Sequence, residues 1–153
     1  MSQNPDRSTD RTIDERAGHC FGCGPANPQG LHLAFTLDTS DPSTPTATAS
    51  VQLTSLHQGP PGYIHGGIIA TLLDEAMSKL NRPLQLLAVT RHLEIDYLHP
   101  APLDQPLTLI SHHVRREGRK LFHQAELRNA EGKVLARGQG LFIVINESHF
   151  GAS

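Results

Sequence analysis

The sequence predicts one α+β domain of two layers, a long amphipathic helix covered by a curved antiparallel sheet of five to six strands. Three observations point there. Residues 66–80 carry apolar side chains at helical spacing, the segments around them carry apolar side chains at strand spacing, and short glycine-containing turns join the last three segments as hairpins. A chain of 153 residues suits a single domain with a single core.

Residues 1–17 hold seven charged side chains and little that is apolar besides Ile13, too little to repay the entropy of ordering, so they read as a flexible polar tail. The domain is expected over residues 18–146, with 147–153 as a short C-terminal tail. A first strand is expected where Leu31, Leu33, Phe35 and Leu37 alternate with less apolar neighbours, and a second over Thr46 to Leu53 after a stretch dense in turn residues. The Gly/Pro-rich run from His57 to Tyr63 is an irregular loop leading to the helix.

At about 100° per residue, Ile69, Leu72, Leu73, Ala76, Met77 and Leu80 fall within one apolar arc, while Glu75 and Lys79 face away. Between the two lies a strip of small or polar residues: Gly67, Thr71, Asp74 and Ser78. Pro83 disfavours helix at its predecessor and so ends the element near Asn81. Strands follow over Leu86–Leu98, Pro106–Arg116, Lys120–Asn129 and Lys133–Ile145, with Leu93, Ile95 and Tyr97 sharing one face.

The 13 basic and 15 acidic residues give a net charge of -2, which argues against nucleic acid and anionic membranes as partners. The longest apolar runs, 66–73 and 141–145, fall well short of the roughly 18 residues of a membrane span, and the tail lacks the apolar centre of a signal peptide. A soluble, cytoplasmic protein is the expectation.

The chemistry concentrates at His65-Gly66-Gly67 and Asp74-Glu75. Two glycines at a helix start expose N–H groups that carry about half a positive charge, a ready oxyanion site. A carboxylate two turns later, on the edge of the apolar arc, is expensive to desolvate and so is a candidate base or nucleophile. The same residues also suit a plainer role, a glycine pair that eases packing and a solvated boundary aspartate.

The run from His65 to Ala76, with Gly59 to Ile64 before it, resembles the signature of hotdog-fold acyl-CoA thioesterases of the PaaI-like branch. Cys20 to Gly24, Asn27 to Leu31 and Glu131 to Gly138 are similar to further segments of that family. The resemblance implies a sheet wrapped around the helix, self-association as dimers or tetramers with active sites between subunits, and an acyl-CoA substrate. It implies that Asp74 is the catalytic carboxylate, as general base or nucleophile, and that the N–H groups of Gly66 and Gly67 polarise the thioester carbonyl. Gln58, with His57 beside it, stands near the position of an assisting side-chain amide, and Thr90 stands where relatives carry a hydroxyl.

Helix geometry supports self-association separately. Eight residues place Gly66 and Asp74 about 12 Å apart, whereas both must lie within roughly 3 Å of the reacting atoms. Two helices lying antiparallel across an isologous interface bring one subunit's glycine end to the other's carboxylate. Other hotdog activities, a hydratase or dehydratase of acyl thioesters, and a silent module binding acyl-CoA or a small apolar ligand, are the alternatives.

Weaker signals complete the reading. His65 frames the glycine turn and Tyr63 belongs to the loop that closes the pocket, which makes both substrate-binding candidates. Arg115, Arg116, Arg119 and Lys120 flank a hairpin turn and offer cations for the phosphates of coenzyme A. Cys20 and Cys23 form a lone Cys-x-x-Cys next to His19. Zinc needs two further ligands, and no second paired motif exists, so no metal and no cofactor are expected.

Overall fold

The computed structural model describes residues 18–145; the segments 1–17 and 146–153, which include both expected tails, lie outside the described residues. The chain divides into two compact units, Met1–Ala34 and Phe35–Ser153.

The described part of the first unit, residues 18–34, is a chain of tight turns. Gly24 N–H donates to the Cys20 carbonyl at 2.8 Å, and Leu31 and Leu33 N–H donate back to Phe21 and Gly22. A Cβ at Gly24 would lie 2.4 Å from the Cys20 nitrogen, so only glycine fits there. Cys20 and Cys23 are both thiols.

The second unit contains β1 (Thr36–Asp38), β2 (Thr46–Val51), a 3₁₀ turn at Ser55–His57, α1 (Gly66–Ser78), β3 (Ala88–Tyr97), β4 (Leu107–Glu117), β5 (Lys120–Arg128) and β6 (Val134–Val144). The strands form one antiparallel sheet in the order β1-β2-β4-β5-β6-β3, and α1 packs on one face of it. The first strand is shorter than the alternation of Leu31 to Leu37 suggests. His32 takes a positive φ of 52°, and the N–H groups of Leu31 and Leu33 are spent on the turns of the first unit, so the ladder begins only at Thr36. The β4–β5 hairpin closes in two residues, with Gly118 at φ 58°.

The helix seats in a trough of small residues. Ala47, Ser111, Ala125 and Gly138 are neighbours across β2, β4, β5 and β6, and all four are buried. The Ser111 hydroxyl donates to the Ala76 carbonyl of α1 at 2.6 Å. A Cβ at Gly138 would already touch Leu73 at 3.4 Å, and one at Gly140 would lie 2.7 Å from the Phe142 ring and 3.0 Å from the Met77 sulfur. Leu109 and Leu127 on one side and Leu121 and Phe142 on the other flank the trough, all buried, and hold α1 laterally. The apolar arc predicted for the helix is its buried face: Ile69, Leu72, Leu73, Ala76 and Met77.

A polar cluster lies just past the helix C-terminus. His123, 1% exposed, meets Asn81 Oδ1 through Nε2 at 2.9 Å and His113 Nδ1 through its own Nδ1 at 3.1 Å, beside the Phe142 ring. A neutral imidazole satisfies both partners, donating to the amide oxygen and accepting from His113. Burial, reinforced by the neighbouring His113, pushes the His123 pKa down to about 3.

Two outcomes are expected. Gly140→Ala overpacks the seat of α1 and lowers stability by about 1–3 kcal/mol in urea titration; an unchanged midpoint would contradict the close approach. An unfolded histidine takes up a proton near its ordinary pKa while folded His123 stays neutral until about 3, so stability is present above the unfolded value and lost on acidification through that window. His123→Gln should flatten the decline of urea midpoints between pH 7 and 4, and an equal slope in both proteins would count against it.

Candidate active site

Asp74 sits in the third turn of α1 with its carboxylate half-buried. The Thr90 hydroxyl donates to Asp74 Oδ1 at 2.7 Å. Simple alternation along β3 would put Thr90 on the opposite face from Leu93, Ile95 and Tyr97. A β-bulge between Thr90 and His92 inserts Arg91 and reverses the parity, so that Thr90, paired with Phe142, faces the helix. Burial raises the Asp74 pKa above the usual carboxylate value; the Thr90 hydrogen bond opposes the rise and the Glu75 charge adds to it. Glu75 itself pairs with Lys79 at 3.3 Å along the helix.

The other end of α1 gathers the remaining residues. His65 is the N-cap, and its Nδ1 accepts from Gly67 N–H at 2.9 Å. Ile68 and Ile69 N–H donate to the His65 carbonyl. Gly66 N–H has no partner among the described residues, which leaves one open donor at the positive end of the helix. Gly67, expected to share that role, has its N–H turned to the His65 ring.

The loop before the helix is held against it. His65 N–H donates to the His57 carbonyl at 2.9 Å, and Gln58 bridges Ile64. The Gln58 side-chain oxygen accepts from Gly62 N–H at 3.2 Å, and the His57 ring accepts from Thr54 N–H, so both side chains stabilise the loop. Gly59 permits this approach, because a Cβ there would lie 2.8 Å from the His65 Cα. Beside the helix start opens a cavity of about 520 Å³, lined chiefly by Pro60, Tyr63, Ile69, Tyr97, Leu98 and Pro100. It is apolar, of ligand size, and Gly66 reaches it while Asp74 does not.

The basic residues lie at the tip of the β4–β5 hairpin. Arg116, Leu121, Phe142 and Thr90 are neighbours across four strands, which puts Arg116 about 14 Å from Thr90 at 4.8 Å per strand. Arg116 donates to the Gly118 carbonyl and Arg119 to the Val144 carbonyl through two nitrogens. A second bulge, between His113 and Arg115, turns Arg115 to the sheet face away from α1, where it stacks 3.8 Å over Phe122 and pairs with Glu117. Within the second unit no three His, Cys, Asp or Glu side chains converge to metal-binding distance among the described residues.

Tyr97, absent from the site residues expected from the sequence, also belongs to this site. Its hydroxyl donates to the Gly66 carbonyl at 2.9 Å. Its place on one face with Leu93 and Ile95 was visible; a bond to a residue 31 positions away was not.

Residues 61–136 match the family described as the thioesterase superfamily. Over 90 residues the chain is 34% identical to acyl-coenzyme A thioesterase THEM4 of Bos taurus, a match covering 58% of this chain and 37% of that protein. Over 87 residues it is 34% identical to acyl-coenzyme A thioesterase 13 of Homo sapiens, covering 54% and 61%. The chain thus spans less than two thirds of the length of these relatives. In three dimensions it is similar to the crystal structure of a thioesterase superfamily protein at 27% identity and a TM-score of 0.75, over 93% of this chain and 81% of that one. It shares its fold with a hypothetical thioesterase protein of Streptococcus pneumoniae solved with coenzyme A, at 21% identity and a TM-score of 0.64, over 74% and 87%. One helix laid across a six-stranded antiparallel sheet is the hotdog fold, and the matched segment, which holds α1 and β3 to β5, is a thioesterase-superfamily domain.

Proposed function

We propose that the protein is an acyl-CoA thioesterase, hydrolysing an acyl thioester to free acid and coenzyme A, and that it works as a dimer or tetramer. The observation that carries this reading is the pairing of a half-buried, Thr90-bonded Asp74 with an open Gly66 N–H on one helix of a thioesterase-superfamily domain. The curated relatives named above as acyl-coenzyme A thioesterases support the substrate class.

The thioester carbonyl rests on Gly66 N–H, where the helix dipole meets the charge that develops on oxygen. Asp74 activates water or attacks the carbonyl itself, and in either role it must be ionised. Its raised pKa makes it a better proton acceptor than an exposed carboxylate. The acyl group occupies the apolar cavity at Pro60, Tyr63 and Ile69, and the cationic hairpin tip of Arg116 and Arg119 receives the coenzyme A phosphates.

Two copies are needed because the two groups are eight residues apart on a straight helix, about 12 Å. Three features support their meeting across subunits. Among the described residues β3 is a sheet edge with one unpaired side and exposed Val89. Thr71 and Ser78 turn their hydroxyls back to the Gly67 and Asp74 carbonyls, which leaves a smooth, small-residue strip on α1. The cavity at Gly66 lacks a carboxylate of its own.

Free-thiol release from a panel of short, medium, long and aromatic acyl-CoAs tests the activity. Asp74→Asn should lower kcat by about 10²- to 10⁴-fold, and retention of most activity would remove Asp74 from the mechanism. Asp74 has a raised folded pKa, so its stabilising contribution is complete below the unfolded value and lost as pH rises through the folded one. The same variant should therefore melt higher than the parent at pH 8 and show no such gain at pH 4. A lower melting temperature at pH 8 would contradict the strained carboxylate.

A further inference from the structure

We infer that Tyr97 is a positioning residue for the oxyanion donor: with His65 it clamps the Gly66–Gly67 peptide and so aims the Gly66 N–H. The inference deepens the thioesterase reading and rests on it for its kinetic consequence.

The Gly66 carbonyl and the Gly67 N–H are the two ends of one peptide group. Tyr97 Oη donates to that carbonyl at 2.9 Å, and His65 Nδ1 accepts from that N–H at 2.9 Å. Both ends of a single plane are therefore held by side chains from outside the helix, one from edge strand β3 and one from the N-cap. The adjoining peptide, which carries the open Gly66 N–H, shares the Gly66 Cα with the clamped one. Gly66 has wide freedom in φ and ψ, more than any other residue type would have there. Fixing the plane on one side of its Cα restricts that freedom, and a donor acts in catalysis only as far as its direction is set before reaction.

Both contacts are built into the surroundings. The Tyr97 ring lies along the Gly66 backbone, so that a Cβ on Gly66 would touch its Cε1 at 3.6 Å. The His65 ring folds over the helix start, where a Cβ on Gly67 would meet it at 3.1 Å, so Gly67 is the residue that admits the ring. The glycine pair thus divides its work: Gly66 offers the donor and Gly67 makes room for half of the clamp. Tyr97 also lines the 520 Å³ cavity, so its ring and its hydroxyl have separable duties, a wall for the acyl group and a brace for the helix start.

Tyr97→Phe keeps the wall and removes only the brace. In the full chain, ¹⁵N relaxation of the Gly66 amide should report a lower order parameter in the variant than in the parent. Steady-state hydrolysis of an acyl-CoA accepted by the parent should show kcat reduced about five- to tenfold with KM changed less than about twofold. An unchanged Gly66 order parameter would overturn the clamp whatever the kinetics, and a looser amide with unchanged kcat would overturn its role in positioning. If the parent hydrolyses no acyl-CoA but the amide loosens in the variant, the clamp stands and the thioesterase reading falls.

Discussion

The approach of α1 to the sheet governs the rest of the molecule. Side chains usually intervene between a helix and the sheet it packs on; here Ala47, Ser111, Ala125 and Gly138 replace them with small groups, and a backbone carbonyl of the helix is bonded directly by a sheet hydroxyl. Seated that closely, α1 has little freedom to rotate or slide between the walls of Leu109, Leu127, Leu121 and Phe142. Its polar edge therefore points in a fixed direction. Asp74 is carried to the rim of the sheet where Thr90 meets it, and Gly66 to the mouth of the apolar cavity.

The two ends of the helix are stabilised in opposite electrostatic senses. At the N-terminus a positive dipole end is kept open at Gly66, while its neighbour Gly67 is satisfied by a ring nitrogen. Past the C-terminus the polar groups are closed off, with a buried neutral histidine spanning Asn81 and His113. Asp74 lies between them in a partly desolvated site whose cost the fold bears and the Thr90 bond only partly offsets. The packed trough supplies the stability against which such a group is maintained.

Much of this was legible in the sequence. The helix at Gly66, the four strands that follow and the glycine turn of the β4–β5 hairpin came from periodicity and turn chemistry, with ends displaced by one or two residues. The position of Asp74 on the margin of the apolar arc followed from helix geometry alone. Two kinds of feature did not. Bulges at Arg91 and Val114 change which face a side chain takes, and nothing in a single run of residues marks them; the first brings Thr90 to Asp74, the second takes Arg115 to the far face. Hydrogen bonds across long separations, Tyr97 to Gly66 and His123 to Asn81, depend on register and stayed hidden in a pattern read for hydrophobicity. The small-residue trough was in plain sight as Ser111, Ala125 and Gly138, yet its meaning required the strand pairing.

A straight helix fixed on its sheet cannot bring its own first residue to its own ninth, so in the proposed mechanism each catalytic unit takes Gly66 from one protomer and Asp74 from another. Intersubunit complementation measures this directly. Gly66→Pro removes the N–H and suits the local backbone, since proline is favoured at the first helical position, His65 already has a ψ of 136°, and a Cβ at Gly66 meets Tyr97 only at an ordinary contact distance of 3.6 Å. Gly66→Pro and Asp74→Asn are each expected to be inactive alone. Unfolded together in equal amounts and refolded, they should regain about a quarter of the parental activity, because half of randomly formed dimers are mixed and each mixed dimer holds one intact site. A mixture as inactive as its components, with mixed dimers verified by mass spectrometry, would place both groups in one protomer and contradict the account.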